Sequence, residues 1–123
     1  DMTRAVLEGV AFGLRDSAEA VKATGAKLEH MLAIGGGTAS RYWVKLLATV
    51  LGTPLYLPKS SEFGAALGAA RLAICATTGV AARDIMSSPA TFDCVAPEAS
   101  LIETYDQAYV AFRASYPRIK DIQ

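Results

Sequence analysis

The sequence predicts an α/β fold, a short parallel βαβ sheet packed with several helices. Three observations predict it. Met31-Leu32-Ala33-Ile34 is a continuous apolar run that ends in the triple glycine Gly35-Gly36-Gly37. An amphipathic segment follows, and Gly52 and Pro54 stop it. A second apolar run, Leu55-Tyr56-Leu57, comes next. Strand, helix and strand in that order imply parallel pairing and a right-handed crossover.

The whole chain supports a folded domain. Its 123 residues suffice for one core, with 52% hydrophobic and 20% charged residues. Twelve basic residues balance twelve acidic ones, which argues against an electrostatic nucleic-acid or membrane surface. No apolar run approaches the roughly 20 residues of a membrane span. Asp1-Met2-Thr3-Arg4 is charged and helical in pattern, not a secretory leader. Cys75 and Cys94 lie far apart, without metal-ligand spacing, and His30 is the one histidine. A reduced, cytoplasmic setting is expected. A first residue that is Asp, with a helix starting at once, reads as a piece of a longer protein.

The first helix is expected from about Thr3 to about Lys22. Leu7, Val10, Ala11, Leu14, Ala18 and Val21 share one face. Arg4, Glu8, Arg15, Glu19 and Lys22 share another. Gly9 and Gly13, four apart, are expected to receive a closely packed helix. Gly25 is the stop. The strand from about His30 to Ile34 shows no alternation and so is expected to be covered on both faces.

Beyond the glycines, Thr38 or Ser40 caps the second helix. In it, Trp43, Leu46, Leu47, Val50 and Leu51 form the core stripe, with Arg41 and Lys45 off it. Pro58 closes the second strand, and Lys59-Ser60-Ser61-Glu62 is a polar loop. The third helix, from about Phe63 to Thr77, is nearly all small and apolar, with Arg71 its only charge. It is expected to be buried all round and ended by Gly79. Arg83 to Met86 suggests a helical turn, and Thr91 to Val95 a short strand. The last helix is expected from about Glu98 to Tyr116, stopped by Pro117. Leu101, Tyr105, Ala108, Phe112 and Tyr116 would be its buried face, and the tail would fray.

The triple glycine is the candidate site. Residues without Cβ let a ligand approach the main chain, and the following helix start offers unpaired N–H groups and a positive dipole end. The position, at the carboxyl end of a buried parallel strand, is where open α/β sheets place ligands. It is not a Walker loop, because no Gly-Lys-Ser/Thr follows, nor a dinucleotide fingerprint, which would need a glycine at Ser40.

Other residues have plainer readings. Asp1, Asp16 and Glu62 read as solvated helix-end or loop charges, Glu62 also as a candidate cap of the third helix or contact of the glycine turn. His30 reads as an edge residue, Cys75 as small core, Cys94 as free, Arg71 as structurally paired, and Trp43 as core.

Three segments together carry a resemblance. Gly35-Gly36-Gly37-Thr38-Ala39-Ser40-Arg41-Tyr42-Trp43, Leu51-Gly52-Thr53-Pro54 and Gly64-Ala65-Ala66-Leu67-Gly68-Ala69-Ala70-Arg71-Leu72-Ala73 resemble the C-terminal part of the FGGY carbohydrate kinases. The last run most resembles xylulokinases, and Asp1 to Glu8 is similar to the tail of the family's second signature. The match spans about residues 1–79.

The resemblance implies an actin–hexokinase–Hsp70 (ribonuclease H-like) fold whose two lobes close over ATP and Mg²⁺. The chain, 1–123, would be a C-terminal fragment of the second, nucleotide-side lobe. The reaction implied is transfer of the γ-phosphate to a sugar hydroxyl, for xylulokinases that of D-xylulose to give the 5-phosphate. Gly35, Gly36, Gly37 and Arg41 would be nucleotide-binding, with Gly36 and Gly37 on the adenosine and α-phosphate side. Arg41 would either stack on the base or face solvent. The catalytic aspartate and most sugar contacts would lie in the other lobe, so this chain would hold neither the base nor a metal ligand and would be inactive alone. Rival readings are a glycerol, gluconate or ribulose kinase of the same family, or a non-catalytic nucleotide-binding or interaction module. A homodimer paired through the first helix is a further candidate.

Overall fold

The computed structural model describes residues 1–59, 64–87 and 89–120. Helix α1 (Met2–Ala23) starts at Asp1, whose carboxylate accepts the Thr3 N–H at 3.1 Å. That bond satisfies one of the donors every helix start leaves open. The helix ends where Gly25 turns into positive φ, at +89°, with its N–H on the Lys22 carbonyl. Strand β1 (Met31–Leu32) leads to the glycine corner and a 3₁₀ turn, Gly36–Ala39. Helix α2 (Arg41–Leu51) is capped by Ser40, not Thr38, and closed by Gly52 at φ +64°. Strand β2 (Leu55–Pro58) returns beside β1 in parallel, pairing Met31 with Leu55 and Leu32 with Tyr56.

The expected βαβ unit is therefore present, and a third strand joins it. Strand β3 (Thr91–Val95) has the expected bounds and pairs antiparallel with β2, giving the order β1-β2-β3. The sheet is thus mixed, not purely parallel. Pro58 is tolerated as the last residue of β2, at a register irregularity where no further ladder donor is needed.

Helix α2 is the shared wall of two cores. One side packs Leu46 and Val50 against Ala11 and Phe12 of α1 and against Tyr105 and Tyr109 of α5 (Ile102–Ile119). The other lays Val44 and Ala48 on Leu55, Leu57 and Val95 of the sheet. The predicted stripe of α2 reaches both cores, through Leu46 and Val50 on one side and Leu47 and Leu51 on the other, but misses Val44 and Ala48, the buried residues facing the sheet. Phe12 sits among three rings, 6.2 Å from Tyr105, 6.1 Å from Tyr109 and 5.4 Å from Phe112 between centroids. Such pairs contribute about 0.5–1.5 kcal/mol each beyond area burial. Buried Thr49 is fully used: its hydroxyl donates to the Lys45 carbonyl at 2.7 Å and accepts the Glu98 N–H at 3.0 Å. It holds the approach to α5 against α2.

Several expectations are corrected. Strand β1 is two residues long; Leu32 within it is 39% exposed and Ile34 just after it 56%, so β1 is not covered on both faces here. Helix α3 (Gly64–Thr78) has no buried residue. It packs mainly on the short α4 (Ala82–Ile85), and Leu72 is 61% exposed. Its composition asks for a cover that these residues do not provide. Among the described residues no atom comes within 4 Å of a Cβ placed at Gly9 or Gly13, so none of the described helices crosses closely there.

Pro117 lies inside α5 instead of ending it. The ring removes one late donor, and the Lys120 N–H still reaches the Tyr116 carbonyl at 3.0 Å. The buried seam of α5 is Tyr105 and Tyr109 with Phe112 partly covered, whereas Leu101, Ala108 and Tyr116 are exposed. The loop residues Ser60 to Glu62, the expected helix start at Phe63 and the end of the tail lie outside the described residues.

Candidate functional site

The glycine corner forms where β1 hands over to α2. At Gly35 the backbone takes φ +101° and ψ 167°, a region closed to residues with a Cβ. The Gly35 carbonyl then accepts both the Thr38 N–H at 3.1 Å and the Thr38 hydroxyl at 2.8 Å. The Ser40 N–H closes the turn on the Gly37 carbonyl at 3.1 Å, and the Ser40 hydroxyl accepts the Trp43 N–H at 3.3 Å. The N–H groups of Gly36 and Gly37 precede the first bond of the turn and carry none within it.

Two of the three glycines are bare for different structural reasons. Gly35 is needed for its backbone angle. Gly37 is crowded by packing: a Cβ there would stand 3.1 Å from Trp43 Cδ1 and 3.2 Å from Nε1. Gly36 has neither constraint: its φ is not positive, and among the described residues nothing lies within 4 Å of a Cβ position. It is the one glycine of the three that neither angle nor packing demands. Nearby, Gly64 at the start of α3 is held close to Ile34, whose Cδ1 would be 2.8 Å from its Cβ. That contact seats α3 beside the corner.

Arg41 is the first residue of α2. Its guanidinium Nη1 donates to Asp93 Oδ2 of β3 in an ion pair. Asp93 Oδ1 accepts the Cys94 N–H at 2.7 Å. The Arg41 hydrogen bond, then the backbone one, holds the Asp93 carboxyl below the usual carboxylate range. Neither expected posture of Arg41, stacked on a base or simply turned to water, includes this partner. Composition and spacing could not reveal it, because Asp93 lies 52 residues away.

A second feature went unread in the sequence. A cleft of about 540 Å³ opens between α1, β1 and α2, with Gly37, Thr38 and Trp43 in its lining. Its other walls include Leu14 and Val21, which are the outer part of the stripe expected to be core on α1. Their apolar periodicity was visible, but not that it faces a cleft.

The remaining candidates fall to structural roles. Asp16 accepts the Tyr109 hydroxyl at 2.5 Å and pairs with Arg113 at 3.3 Å, so it is not a merely solvated charge. Arg71 Nη1 donates to the Ser87 carbonyl at 3.0 Å. His30 is exposed and stacks on Tyr56 with centroids 3.9 Å apart. Cys75 and Cys94 are free thiols, Cys75 half-buried rather than core. Glu62 lies outside the described residues. Among the described residues no group of three or more His, Cys, Asp or Glu could hold a metal ion. No helix among them is long and apolar enough to cross a membrane.

Known proteins match between 59% and 99% of this chain. The model of the C-terminal domain of the FGGY family of carbohydrate kinases matches residues 1–77. A xylulose kinase of Escherichia coli strain K12 is 45% identical over 73 residues, covering 59% of this chain and 15% of that protein. One from Staphylococcus epidermidis is 30% identical over 126 residues, covering 99% and 25%. A crystal structure of a "xyloylose kinase" from Brucella ovis superposes with a TM-score of 0.82 at 43% identity, covering 99% of this chain and 26% of that one. The chain thus spans about a quarter or less of the length of these relatives. The α/β fold is that of part of an actin/hexokinase-like kinase lobe. With more than half of its residues matched by the family model, the chain belongs to the FGGY family of carbohydrate kinases, in its C-terminal domain.

Proposed function

We propose that this chain forms one wall of the ATP site of a sugar kinase that phosphorylates D-xylulose to the 5-phosphate. It would be part of the nucleotide-side lobe of a longer enzyme, with the catalytic base and most sugar contacts outside these residues. The observation that carries the reading is Gly36, open to solvent between the end of β1 and the start of α2 in a chain of this family.

The corner suits an adenine nucleotide. The Gly36 and Gly37 N–H groups are donors without a partner in the turn, and the first turn of α2 adds the positive end of its dipole. Gly35 sets the sharp change of direction that brings these donors to one place. ATP supplies the γ-phosphate for transfer, with Mg²⁺ spreading its charge. The chain's own part is to position and orient: phosphoryl transfer depends chiefly on alignment and charge stabilisation. Closure of the two lobes would exclude water from the transfer.

The test is Gly36→Val in the full-length enzyme. The branched side chain fills the open position and raises the KM for ATP, while KM for the sugar holds. Unchanged ATP kinetics would remove the corner from the site. The 123-residue chain alone should give no sugar-dependent ADP release, and a panel of D-xylulose, glycerol, gluconate and ribulose on the full-length enzyme would identify the sugar.

A further inference from the structure

Helix α2 carries two cations, Arg41 and Lys45, and both are engaged by carboxylates. Arg41 is held by Asp93 of β3, and Lys45 Nζ lies 3.4 Å from Glu98 Oε2. The helix that starts at the glycine corner therefore offers no uncompensated cation to a triphosphate. Arg41 nevertheless stays 66% exposed while its partner Asp93 is only 30% exposed. Asp93 is fixed from its other side as well, by the Cys94 N–H at 2.7 Å.

An ion-paired guanidinium keeps a property that an ion-paired ammonium lacks. Its pairing uses the edge of the plane, and its two faces remain available for stacking on a flat ring. We propose that Asp93 is a positioning residue that holds Arg41 as a planar shelf for the nucleotide's base, leaving the phosphates to the backbone donors of the corner. This inference rests on the nucleotide-binding reading of Gly35 to Gly37.

Two half-ligands separate the roles in the full-length enzyme. Adenosine carries the base without phosphate, and inorganic tripolyphosphate carries the phosphates without a base. Each is measured as a competitive inhibitor against ATP. Arg41→Ala and Asp93→Asn should each weaken adenosine by about twofold to fivefold, the range expected for one exposed stacking contact. Tripolyphosphate inhibition should stay the same, and the loss for ATP should fall on KM instead of kcat. Asp93→Glu should recover much of the loss.

Arg41→Lys is the deciding variant. It keeps a charge for Asp93 but has no planar face, so it should lose adenosine as Arg41→Ala does. A purely structural ion pair would instead be rescued by lysine. Weakened tripolyphosphate with unchanged adenosine, or lysine rescue, overturns the proposal. Gly36→Val run alongside tells the two readings apart. If it leaves both half-ligands unchanged, the corner itself is not the site. If it blocks ATP while Asp93→Asn leaves adenosine unchanged, only the role of Asp93 falls.

Discussion

Gly37 lies against the indole edge of Trp43, so close that a Cβ at residue 37 would meet Trp43 Cδ1 at 3.1 Å and Nε1 at 3.2 Å. The indole joins the core made by α1, α2 and α5 and also lines the apolar cleft. The third glycine of the corner thus serves packing, and the bareness of the motif has more than one cause.

That relationship predicts the result of Gly37→Ala. The methyl forces the half-buried indole to shift by a few tenths of an ångström, at a cost of about 1 kcal/mol. Trp43 is the chain's one tryptophan, so its fluorescence reports the shift directly. Gly36→Ala, with open space at the same atom, should leave both stability and emission unchanged. Equal emission changes in the two variants would contradict the packing assignment.

Gly35→Ala should cost more, for a different reason. No atom of the described residues crowds its Cβ position, but φ +101° with ψ 167° is a conformation essentially restricted to glycine. Holding alanine there costs about 1–3 kcal/mol. The loss should appear in urea unfolding as a lower midpoint with the same slope. A neutral substitution would mean that the corner relaxes to another angle.

Local chemistry was readable in the sequence, and long-range partners were not. Gly25, Gly52 and Gly79 end helices at positive φ where their positions implied. The βαβ order followed from short apolar runs between prolines and glycines, and the bounds of β3 from the segment that Pro89 and Pro97 bracket. The buried faces of α1 and α5 were harder. Val10, Leu14 and Val21 share a stripe with Ala11 and Ala18, yet they are 51%, 46% and 44% exposed, and Phe12, off that stripe, is buried. Periodicity marks an apolar face but not which neighbour covers it. Helix α3 is the same case: small apolar residues call for a cover, and none of the described elements buries it. The triple glycine was legible as a corner, whereas the separate reasons for Gly35 and Gly37 needed the backbone angles and the position of Trp43. Asp93 as partner of Arg41 had no local signal.

The Arg41–Asp93 pair should show in a titration. Asp93 is held below the usual carboxylate range, first by the Arg41 hydrogen bond and then by the Cys94 N–H. A lowered folded-state pKa means the tie is present above the ordinary carboxylate pKa and is lost as pH falls through the lower, folded one. Carboxyl carbon shifts should place the Asp93 midpoint below that of a free aspartate, and Arg41→Ala should move it back up. An Asp93 midpoint indifferent to Arg41 would show the pair to be absent in solution.

Tyr109 gives the prediction at the opposite end of the pH scale. Its hydroxyl donates to Asp16 at 2.5 Å, and the Arg15 guanidinium lies 4.3 Å from its ring centroid. Tyr109→Phe removes the hydrogen bond between α5 and α1 and should cost about 1.5–3 kcal/mol, the range for a bond to a charged acceptor. Burial first, and the bond to Asp16 second, raise the Tyr109 pKa above the ordinary tyrosine value. A raised folded-state pKa means this contribution is complete below about pH 10 and is lost as pH rises through the folded value. The stability gap between wild type and Tyr109→Phe should therefore be constant from neutral pH to about pH 9 and narrow above about pH 10. Tyr105, also raised by burial, is present in both proteins and cancels in the difference. A gap that held its size well into alkaline solution would show that the hydroxyl contributes by packing alone, without the bond to Asp16.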